Sequence, residues 1–330
     1  MTYIADMPQP LPLLPDLIKG GHDETLFAEA KRLREKFWGN NVFLRGIIEF
    51  SNYCRQNCLY CGLRRDNKNL NRYRLTPDEI FQTASEIKML GINTVVLQSG
   101  EDTQYSGTDI ARLTEKIKNG LGLAVTLSLG ERGKSDYAVW KNAGADRYLL
   151  KVETFSETRH NALRPGATLA RRLEALHNLI CLDYECGSGL IGGLPEETPE
   201  TLAFDLMRLA ELKLDMISIS PFTPHPDTPL YDKISYGAQE TMRLMAIARL
   251  MTPSAHIPVT SALSLHGDNI RLQGLTIGDV IMPSLTPAEV RADYFIYSGK
   301  NRDSAPPVQR AQTIINTLTA RGFTLPSGTG

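Results

Sequence analysis

Short apolar runs rich in β-branched residues alternate along the chain with segments of helical periodicity. The runs are apolar at nearly every position, which is typical of strands buried on both faces of a parallel sheet. Eight runs have the length of strands: Val42–Phe50, Thr94–Gln98, Leu123–Leu129, Arg147–Val152, Glu185–Ile191, Met216–Ser220, Ile257–Thr260 and Val280–Met282.

Between these runs, apolar residues recur at the spacing of amphipathic helices. The predicted helices are Glu24–Phe37, Pro77–Leu90, Thr108–Asn119, Ser135–Ala143, Leu169–Ile180, Pro199–Leu212, Ala238–Leu250 and Pro307–Arg321, with a short segment near His266–Gln273. Strands that alternate with helices form right-handed βαβ units around a parallel sheet. Eight repeats favour an α/β fold of the (β/α)8 TIM-barrel type over an open doubly wound sheet. We predict one barrel domain over residues 24–330 and a proline-punctuated lead-in over residues 1–23.

Polar residues and glycines gather at the points where the predicted strands end. These groups are Gln98–Glu101, Ser128, Glu153–Thr154, Gly187–Gly189, Ser220 and Thr260–Ser261. Active sites of TIM barrels are assembled from the carboxyl-terminal ends of the strands and the loops that follow them. The pattern therefore predicts an active site at that mouth of the barrel.

Composition excludes several classes of partner. Among 330 residues, 36 basic and 37 acidic side chains leave a net charge of −1, which gives no electrostatic reason to expect nucleic acid or an anionic membrane as a partner. No apolar run approaches the length of about 20 residues that a membrane-spanning helix needs. The first residues lack a basic start followed by an apolar stretch, so we expect a cytoplasmic protein without a signal peptide.

The five cysteines do not form a disulfide pattern, because their number is odd and three of them crowd into residues 54–61. Cys54, Cys58 and Cys61 follow the first strand directly, and this spacing lets one loop place three thiolates at three corners of an iron–sulfur cube. A structural zinc site, the main alternative, needs four ligands, and no fourth Cys or His is spaced with the loop. Cys181 and Cys186 are predicted to be buried free thiols.

A [4Fe–4S] cluster with three protein ligands leaves one iron open. This loop resembles that of radical S-adenosylmethionine (SAM) enzymes, in which the open iron binds the amine and carboxylate of SAM. One electron from the reduced cluster then releases a 5′-deoxyadenosyl radical. The resemblance implies that Cys54, Cys58 and Cys61 are the metal ligands, that SAM is the second cofactor, and that Tyr60 packs on the adenine.

A closer resemblance covers roughly residues 24–320. The continuation of the cysteine loop, Gly62–Arg74, is similar to the HydE family of radical enzymes that mature [FeFe]-hydrogenase. The likeness extends through Leu97–Asp102, Val125–Glu131, Arg147–Leu150, Pro221–Leu230 and Ile281–Pro283.

The resemblance assigns cofactor roles residue by residue. Ser99, Gly100 and Glu101 match the motif that holds the methionyl amine. Glu153 matches the acid for the ribose hydroxyls, and Arg172 matches an arginine for the methionyl carboxylate, because a planar guanidinium suits two oxygens. The remaining residues assigned to SAM are Ser128, Gly189 and Ile191.

Other matched positions line the family's substrate cavity. They are Gln98, Thr126, Thr260, Ser261 and Tyr297. This chain has Lys151-Val152 before Glu153-Thr154, whereas members of the family have an arginine and usually a histidine at these two positions. Lysine keeps the charge but loses the bidentate geometry. Because the rest of the cofactor motif is intact, we assign the SAM carboxylate to Arg172 and predict that Lys151 faces the substrate. No cysteine follows Cys186, so we expect a single cluster.

By resemblance, the substrate is a small molecule, a cysteine-bound iron carbonyl–cyanide complex whose cysteine sulfur the adenosyl radical attacks. The implied partners are the other hydrogenase maturases and an electron donor. Two alternatives stay open: a methylornithine synthase or similar enzyme with an amino-acid-derived substrate, and an iron–sulfur scaffold protein that has kept only the fold. The family-like run Gly62–Arg74 disfavours the first, and the intact cofactor motifs disfavour the second.

Overall fold

The computed structural model describes residues 14–301 and 305–329. Its strands follow the predicted runs closely. They are β1 Phe43–Leu44, β2 Gly46–Ser51, β3 Thr94–Ser99, β4 Ala124–Ser128, β5 Arg147–Leu149, β6 Glu185–Gly192, β7 Met216–Pro221 and β8 Val280–Ile281. Strands β2 to β7 pair in chain order in a six-stranded parallel sheet, and β1 pairs in parallel with β8.

Backbone hydrogen bonds through residues 256–259 close the sheet into a ring. The amide of Ile217 in β7 donates to the carbonyl of His256 (2.8 Å), and the amide of Val259 donates to the carbonyl of Val280 in β8 (2.9 Å). Beyond β8, a bridge between Ile47 and Ser284 returns to β2. The predicted (β/α)8 barrel is thereby confirmed.

Helices cover the outside of this ring. They are α1 Leu14–Lys19, α2 Asp23–Trp38, α3 Pro77–Met89, α4 Gly107–Leu121, α5 Lys134–Asn142, α6 Glu157–Leu163, α7 Leu169–Cys181, α8 Pro199–Glu211, α9 Ala238–Met251, α10 Asp268–Gly274, α11 Ala288–Arg291 and α12 Pro307–Ala320, with a 3-10 turn at Leu263–His266. The start of α3 shows a full capping motif: Thr76 caps the helix, Pro77 holds its first position, and the side chain of Glu79 closes a capping box.

Two predicted strands differ from the structure. The run Ile257–Thr260 forms single bridges rather than a strand, because Pro258 at its centre has no amide to donate to a ladder. The run Val42–Phe50 divides at Arg45, since β1 pairs with β8 whereas β2 pairs with β3.

Three short helices, α1, α6 and α11, were not predicted from the sequence, because each is too short to show a helical period. Leu17 and Ile18 of α1 are buried in the core, although they belong to the predicted lead-in. Residues 1–13 of that lead-in lie outside the described residues, and the boundary at residue 23 stays a prediction.

Apolar side chains of the strands and of the inward helix faces share a large buried cluster. The polar side chains Gln98, Ser128 and Ser220 lie at the ends of the strands, where the active site was predicted. Among the helices of the described segments, none combines the length and the apolar character that crossing a membrane requires.

Candidate active site at the mouth of the barrel

A cavity of about 320 Å³ opens where the strands end. It brings together most of the residues that the sequence assigned to the cluster, to SAM and to the substrate. The predicted residues in its wall are Cys54, Cys58, Tyr60, Cys61, Gln98, Ser99, Gly100, Glu101, Ser128, Lys151, Glu153, Arg172, Ile191, Thr260, Ser261 and Tyr297.

Two predicted residues do not line this cavity. Thr126 is buried in β4, and its hydroxyl has no hydrogen-bond partner among the residues that the structure describes. Gly189 lies in β6, where an added Cβ would stand 1.8 Å from the carbonyl oxygen of Ser218 in β7. The packing of these two strands therefore requires glycine at position 189, independently of any ligand.

The three cysteines of the loop after β2 all reach the cavity, and Cys58 is buried. The amide of Glu101 donates to Sγ of Cys54 at 3.3 Å, which ties the loop to the end of β3. Burial raises the pKa of Cys54 to about 11 and also raises the pKa of Cys61. These thiols need a bound cation in order to ionise at neutral pH, as metal ligands do.

The donor set fits a cubane better than a single ion. Within residues 14–301 and 305–329, no three His, Cys, Asp or Glu side chains converge closely enough to hold one metal ion. A single zinc ion needs its ligands to meet at one point. The thiolates of an iron–sulfur cube bind different irons and stand further apart, so three soft sulfur donors on one short loop suit that cluster.

Behind the cysteines lies a buried group of four charges that we call the carboxylate–guanidinium cluster: Glu101, Glu131, Arg164 and Arg172. Arg172 Nε lies 2.9 Å from Glu131 Oε1, and its Nη2 lies 3.5 Å from Glu101 Oε1. Arg164 lies 3.5 Å from Glu101 and 3.8 Å from Glu131. Burial disfavours ionisation of Glu101, but Arg172 and Gln56 outweigh it, so the pKa of Glu101 is lowered.

This cluster also holds the cysteine loop. Arg55 Nε lies 3.1 Å from Glu101 Oε2, and the side-chain Nε2 of Gln56 donates to the same oxygen at 2.7 Å. Sequence reasoning missed Arg164 and gave Glu131 no role. Arg164 follows α6 in a turn that carries no local signal, whereas Glu131 stands shortly after β4, where an acid at the barrel mouth could have been noticed.

Lys151 and Glu153 form an ion pair in the wall of the cavity. Lys151 Nζ lies 3.1 Å from Glu153 Oε2 and 3.2 Å from Ser220 Oγ. Glu153 has φ 72°, a left-handed conformation that few residues other than glycine adopt. Such strain is held in place by its surroundings and is often found at functional sites.

Tyr60 and Ile191 pack against a second, smaller apolar cluster at the mouth. Its buried members are Leu163, Leu194, Phe222 and Leu230. Tyr60, which the resemblance places on the adenine, and Ile191, which it assigns to SAM, thus share one apolar surface that suits a flat aromatic base.

A polar group at the cavity contains two residues that the sequence did not predict, Lys300 in the wall and Glu49 beside it. Ser261 Oγ and the Tyr297 hydroxyl lie 2.6 Å apart, and Lys300 Nζ lies 3.4 Å from Ser261. Lys300 also pairs with Glu49 of β2 at 2.9 Å. A carboxylate inside the apolar run Ile47–Phe50 was the signal that could have revealed this group.

The prediction that Cys181 and Cys186 are buried is right for Cys186 and wrong for Cys181. Cys186 is buried in β6, but Cys181 is exposed at the last residue of α7, with its sulfur 3.4 Å from Nε2 of His177. A helix end at the surface keeps this side chain in solvent.

The barrel and the cysteine loop define a class of enzyme. The model of the Radical SAM superfamily matches residues 48–206, from β2 into α8. The protein is a radical SAM enzyme, a class that uses a [4Fe–4S] cluster and SAM.

Its family follows from a closer relative. Over 281 residues the chain is 47% identical to the [FeFe] hydrogenase maturase subunit HydE of Thermotoga maritima, a match that covers 85% of this chain and 80% of that protein. The chain belongs to the HydE family.

More distant relatives share the barrel. The 3-methylornithine synthase of Methanosarcina acetivorans is 28% identical over 272 residues, which covers 82% of this chain and 77% of that enzyme. The crystal structure of methylornithine synthase (PylB) superposes with a TM-score of 0.84 at 24% identity, over 98% of this chain and 96% of that one. At that identity the superposition shows the fold alone.

Proposed function

We propose that this protein is a hydrogenase maturase that uses SAM to act on a cysteine-bound iron carbonyl–cyanide complex, a precursor of the [FeFe]-hydrogenase cofactor. The observation that carries the proposal is the 47% identity to a HydE maturase over 85% of the chain. The arrangement of the cavity, with the three thiols and most of the predicted SAM residues in one wall, supports it.

In this proposal Cys54, Cys58 and Cys61 hold the cluster. When bound, the cluster and SAM would supply a 5′-deoxyadenosyl radical, and the target that we assign to this radical is the cysteine sulfur of the substrate. The chain's own residues position SAM in the following roles: Ser99, Gly100 and Glu101 for the methionyl amine, Arg172 for the carboxylate, Glu153 for the ribose, and Tyr60, Ser128, Gly189 and Ile191 around the nucleoside.

The contacts of Arg172 within the carboxylate–guanidinium cluster limit the hydrogen-bond donors that it can offer to SAM. Its guanidinium already contacts Glu131 and Glu101, so it can add a methionyl carboxylate only with its remaining donors. Arg164, beside it in the same wall, supplies a second buried cation and keeps the group close to neutral. A neutral group is less costly to bury than an uncompensated charge.

The substrate would occupy the rest of the cavity. We assign Gln98, Lys151, Thr260, Ser261 and Tyr297 to its wall, and Thr126 to the layer behind β4. A closed barrel excludes water and so protects a radical from side reactions. The implied partners are the other maturases and an electron donor, and an oxidation-sensitive cluster suits the reducing cytoplasm.

Hydrogenase maturation in a defined mixture tests the proposal. Apo-hydrogenase is incubated anaerobically with the other maturases, SAM, a reductant and this protein. We expect hydrogen production with the wild type and none with Cys58→Ala. The proposal is wrong if the wild type cleaves SAM but leaves the hydrogenase inactive under conditions in which an authentic HydE activates it.

The alternative of a methylornithine synthase rests on the 28% identity to that enzyme. The test is anaerobic incubation of the reduced protein with SAM and isotope-labelled L-lysine. Because L-lysine and 3-methylornithine are isomers of equal mass, chromatography after derivatisation separates them and mass spectrometry detects the label. We expect no 3-methylornithine, because the identity to HydE is much higher. Its formation would favour the alternative.

A further inference from the structure

Lys300 and Glu49 form a buried ion pair beside the cavity. Their side chains are 6% and 0% exposed, and Lys300 Nζ lies 2.9 Å from Glu49 Oε1. The hydroxyls of Ser284 and Thr286 both donate to Glu49 Oε2. Asn301 Nδ2 also donates to Glu49 Oε1 at 3.4 Å, so both carboxylate oxygens are engaged and Glu49 fixes the position of the lysine.

The pair is oriented. Lys300 belongs to the cavity wall and Glu49 does not, so the cation faces the cavity and its counter-charge stands behind it. Ser261 Oγ, 3.4 Å from Lys300 Nζ and 2.6 Å from the Tyr297 hydroxyl, extends the polar group along the same wall. One hydroxyl of this pair donates to the other, so the ammonium and the remaining O–H can donate hydrogen bonds to one region of the cavity.

A contribution to the stability of the fold is a weak explanation for the buried ion pair of Lys300 and Glu49. Burying two charges costs free energy of desolvation, and well-packed apolar residues are often as stable or more stable in such a place. A cation held by a carboxylate behind it is, however, preorganised to receive a second anionic group from the front. The position of the pair at the edge of a cavity matches this use.

We propose that Lys300, together with Ser261 and Tyr297, binds a carboxylate of the substrate. The inference rests on the proposed function, in which the substrate is built on cysteine. Lys151, the other lysine of the wall, is a weaker candidate because its partner Glu153 also lines the cavity and offsets its charge there. Glu49 offsets the charge of Lys300 only from behind.

Two small probes test the proposal: L-cysteine, and cysteamine, which lacks the carboxylate. Each is titrated by calorimetry, without oxygen, into reconstituted protein saturated with SAM, so that the open iron is already occupied. We expect the wild type to bind L-cysteine about 10- to 100-fold more tightly than cysteamine, the ratio typical of one charge-assisted contact.

The variants separate recognition from folding. The double variant Glu49→Gln/Lys300→Met removes both charges and leaves neither buried alone, and we expect it to lose the preference for L-cysteine. Lys300→Arg should retain part of it. Lys116→Met, at a surface lysine that pairs with Asp78, is the matched control and should keep the full preference. Iron content and thermal melting report whether each variant is folded.

A second pair of variants avoids buried charges altogether. Ser261→Ala and Tyr297→Phe each remove one hydroxyl, and we expect each to lower the preference several-fold. The proposal is overturned if the wild type shows no preference, or if the folded double variant keeps it. Should the double variant fail to fold, an unchanged preference in both hydroxyl variants overturns it. Failure of the proposed function itself would appear instead in the hydrogenase assay.

Discussion

At the scale of single residues, the site is organised by charges that neutralise one another. Glu101 contacts Arg55 of the cysteine loop and both arginines of the carboxylate–guanidinium cluster. Ion pairs at exposed positions contribute little to stability, whereas removing one partner of a buried pair leaves an uncompensated charge. If the cluster binds SAM as proposed, replacement of one of its residues should affect both folding and SAM binding, and experiments must separate the two.

Arg172 and Lys151 should differ in what they bind. Arg172→Ala leaves a charge-assisted contact to the methionyl carboxylate unmade, at a cost of roughly 1.5–3 kcal/mol, so the apparent affinity for SAM should fall about 10- to 100-fold. Lys151→Ala should change SAM affinity little and should impair turnover of the substrate. Anaerobic SAM titrations of both variants provide the measurement.

The titrations need a folding control, because Arg172→Ala also removes the closest partner of Glu131. Arg172→Lys keeps the charge and serves this purpose through its melting temperature and iron content. If Lys151→Ala loses SAM binding and Arg172→Ala keeps it, the two assignments are reversed.

Residues whose chemistry is local in the chain could be predicted from the sequence. The cysteines lie within one loop, so their spacing alone indicates a cluster. Arg164 and Lys300 could not be found in this way, because their partners Glu101 and Glu49 lie far from them in the sequence. Only the folded barrel brings such charges together.

At the scale of elements, two loops at the mouth are joined by buried acids. The amide of Gly193 donates to Glu197, whose Oε1 lies 3.0 Å from Arg159 of α6. Asp205 of α8 accepts from the hydroxyl of Thr154 (2.8 Å) and from the amide of Phe155 (2.7 Å). These contacts hold the loop after β5, which carries Glu153, and the loop that follows Ile191 at the end of β6.

Glu197 should make stability fall as the pH rises. Burial raises its pKa from 4.5 to about 7 and outweighs the amide of Gly193 and the guanidinium of Arg159. A carboxyl with a raised pKa stabilises the fold fully below pH 4.5, and this contribution is lost as the pH rises through about 7. The loss amounts to at most about 3 kcal/mol.

The measurement is the melting temperature between pH 5 and 8. The wild type should lose more stability over this range than Glu197→Gln, whose side chain cannot ionise. Glu196→Gln, at an exposed neighbouring position, is the control and should follow the wild type. Parallel pH curves for the wild type and Glu197→Gln would contradict the prediction.

Helices and strands of ordinary length could be predicted from periodicity, but their exceptions depend on three-dimensional contacts. Pro258 interrupts a run that reads as a strand, and α1 packs Leu17 and Ile18 into the core although it is only six residues long. Neither feature has a periodic signal.

At the scale of the whole molecule, the barrel provides one set of three thiols at its mouth. The remaining cysteines lie apart from it: Cys181 is exposed at the end of α7, and Cys186 is buried in β6. No cysteine follows in the sequence. We therefore expect the protein to hold a single cluster.

Iron content tests this expectation. Anaerobically reconstituted protein should contain about four irons per chain, the number in one cubane. Mössbauer spectra should show a single [4Fe–4S] species. A further [2Fe–2S] component with protein ligands would mean that the chain holds more than one cluster.

The most direct test of the account is the reductive cleavage of SAM by cysteine variants. Wild-type protein, reconstituted and reduced anaerobically, should release 5′-deoxyadenosine and methionine. Cys54→Ala, Cys58→Ala and Cys61→Ala should each release neither, whereas Cys181→Ala, at the exposed thiol, should match the wild type. Full cleavage of SAM by Cys58→Ala would contradict the assignment of the cluster to this loop, and with it the mechanism proposed for the protein.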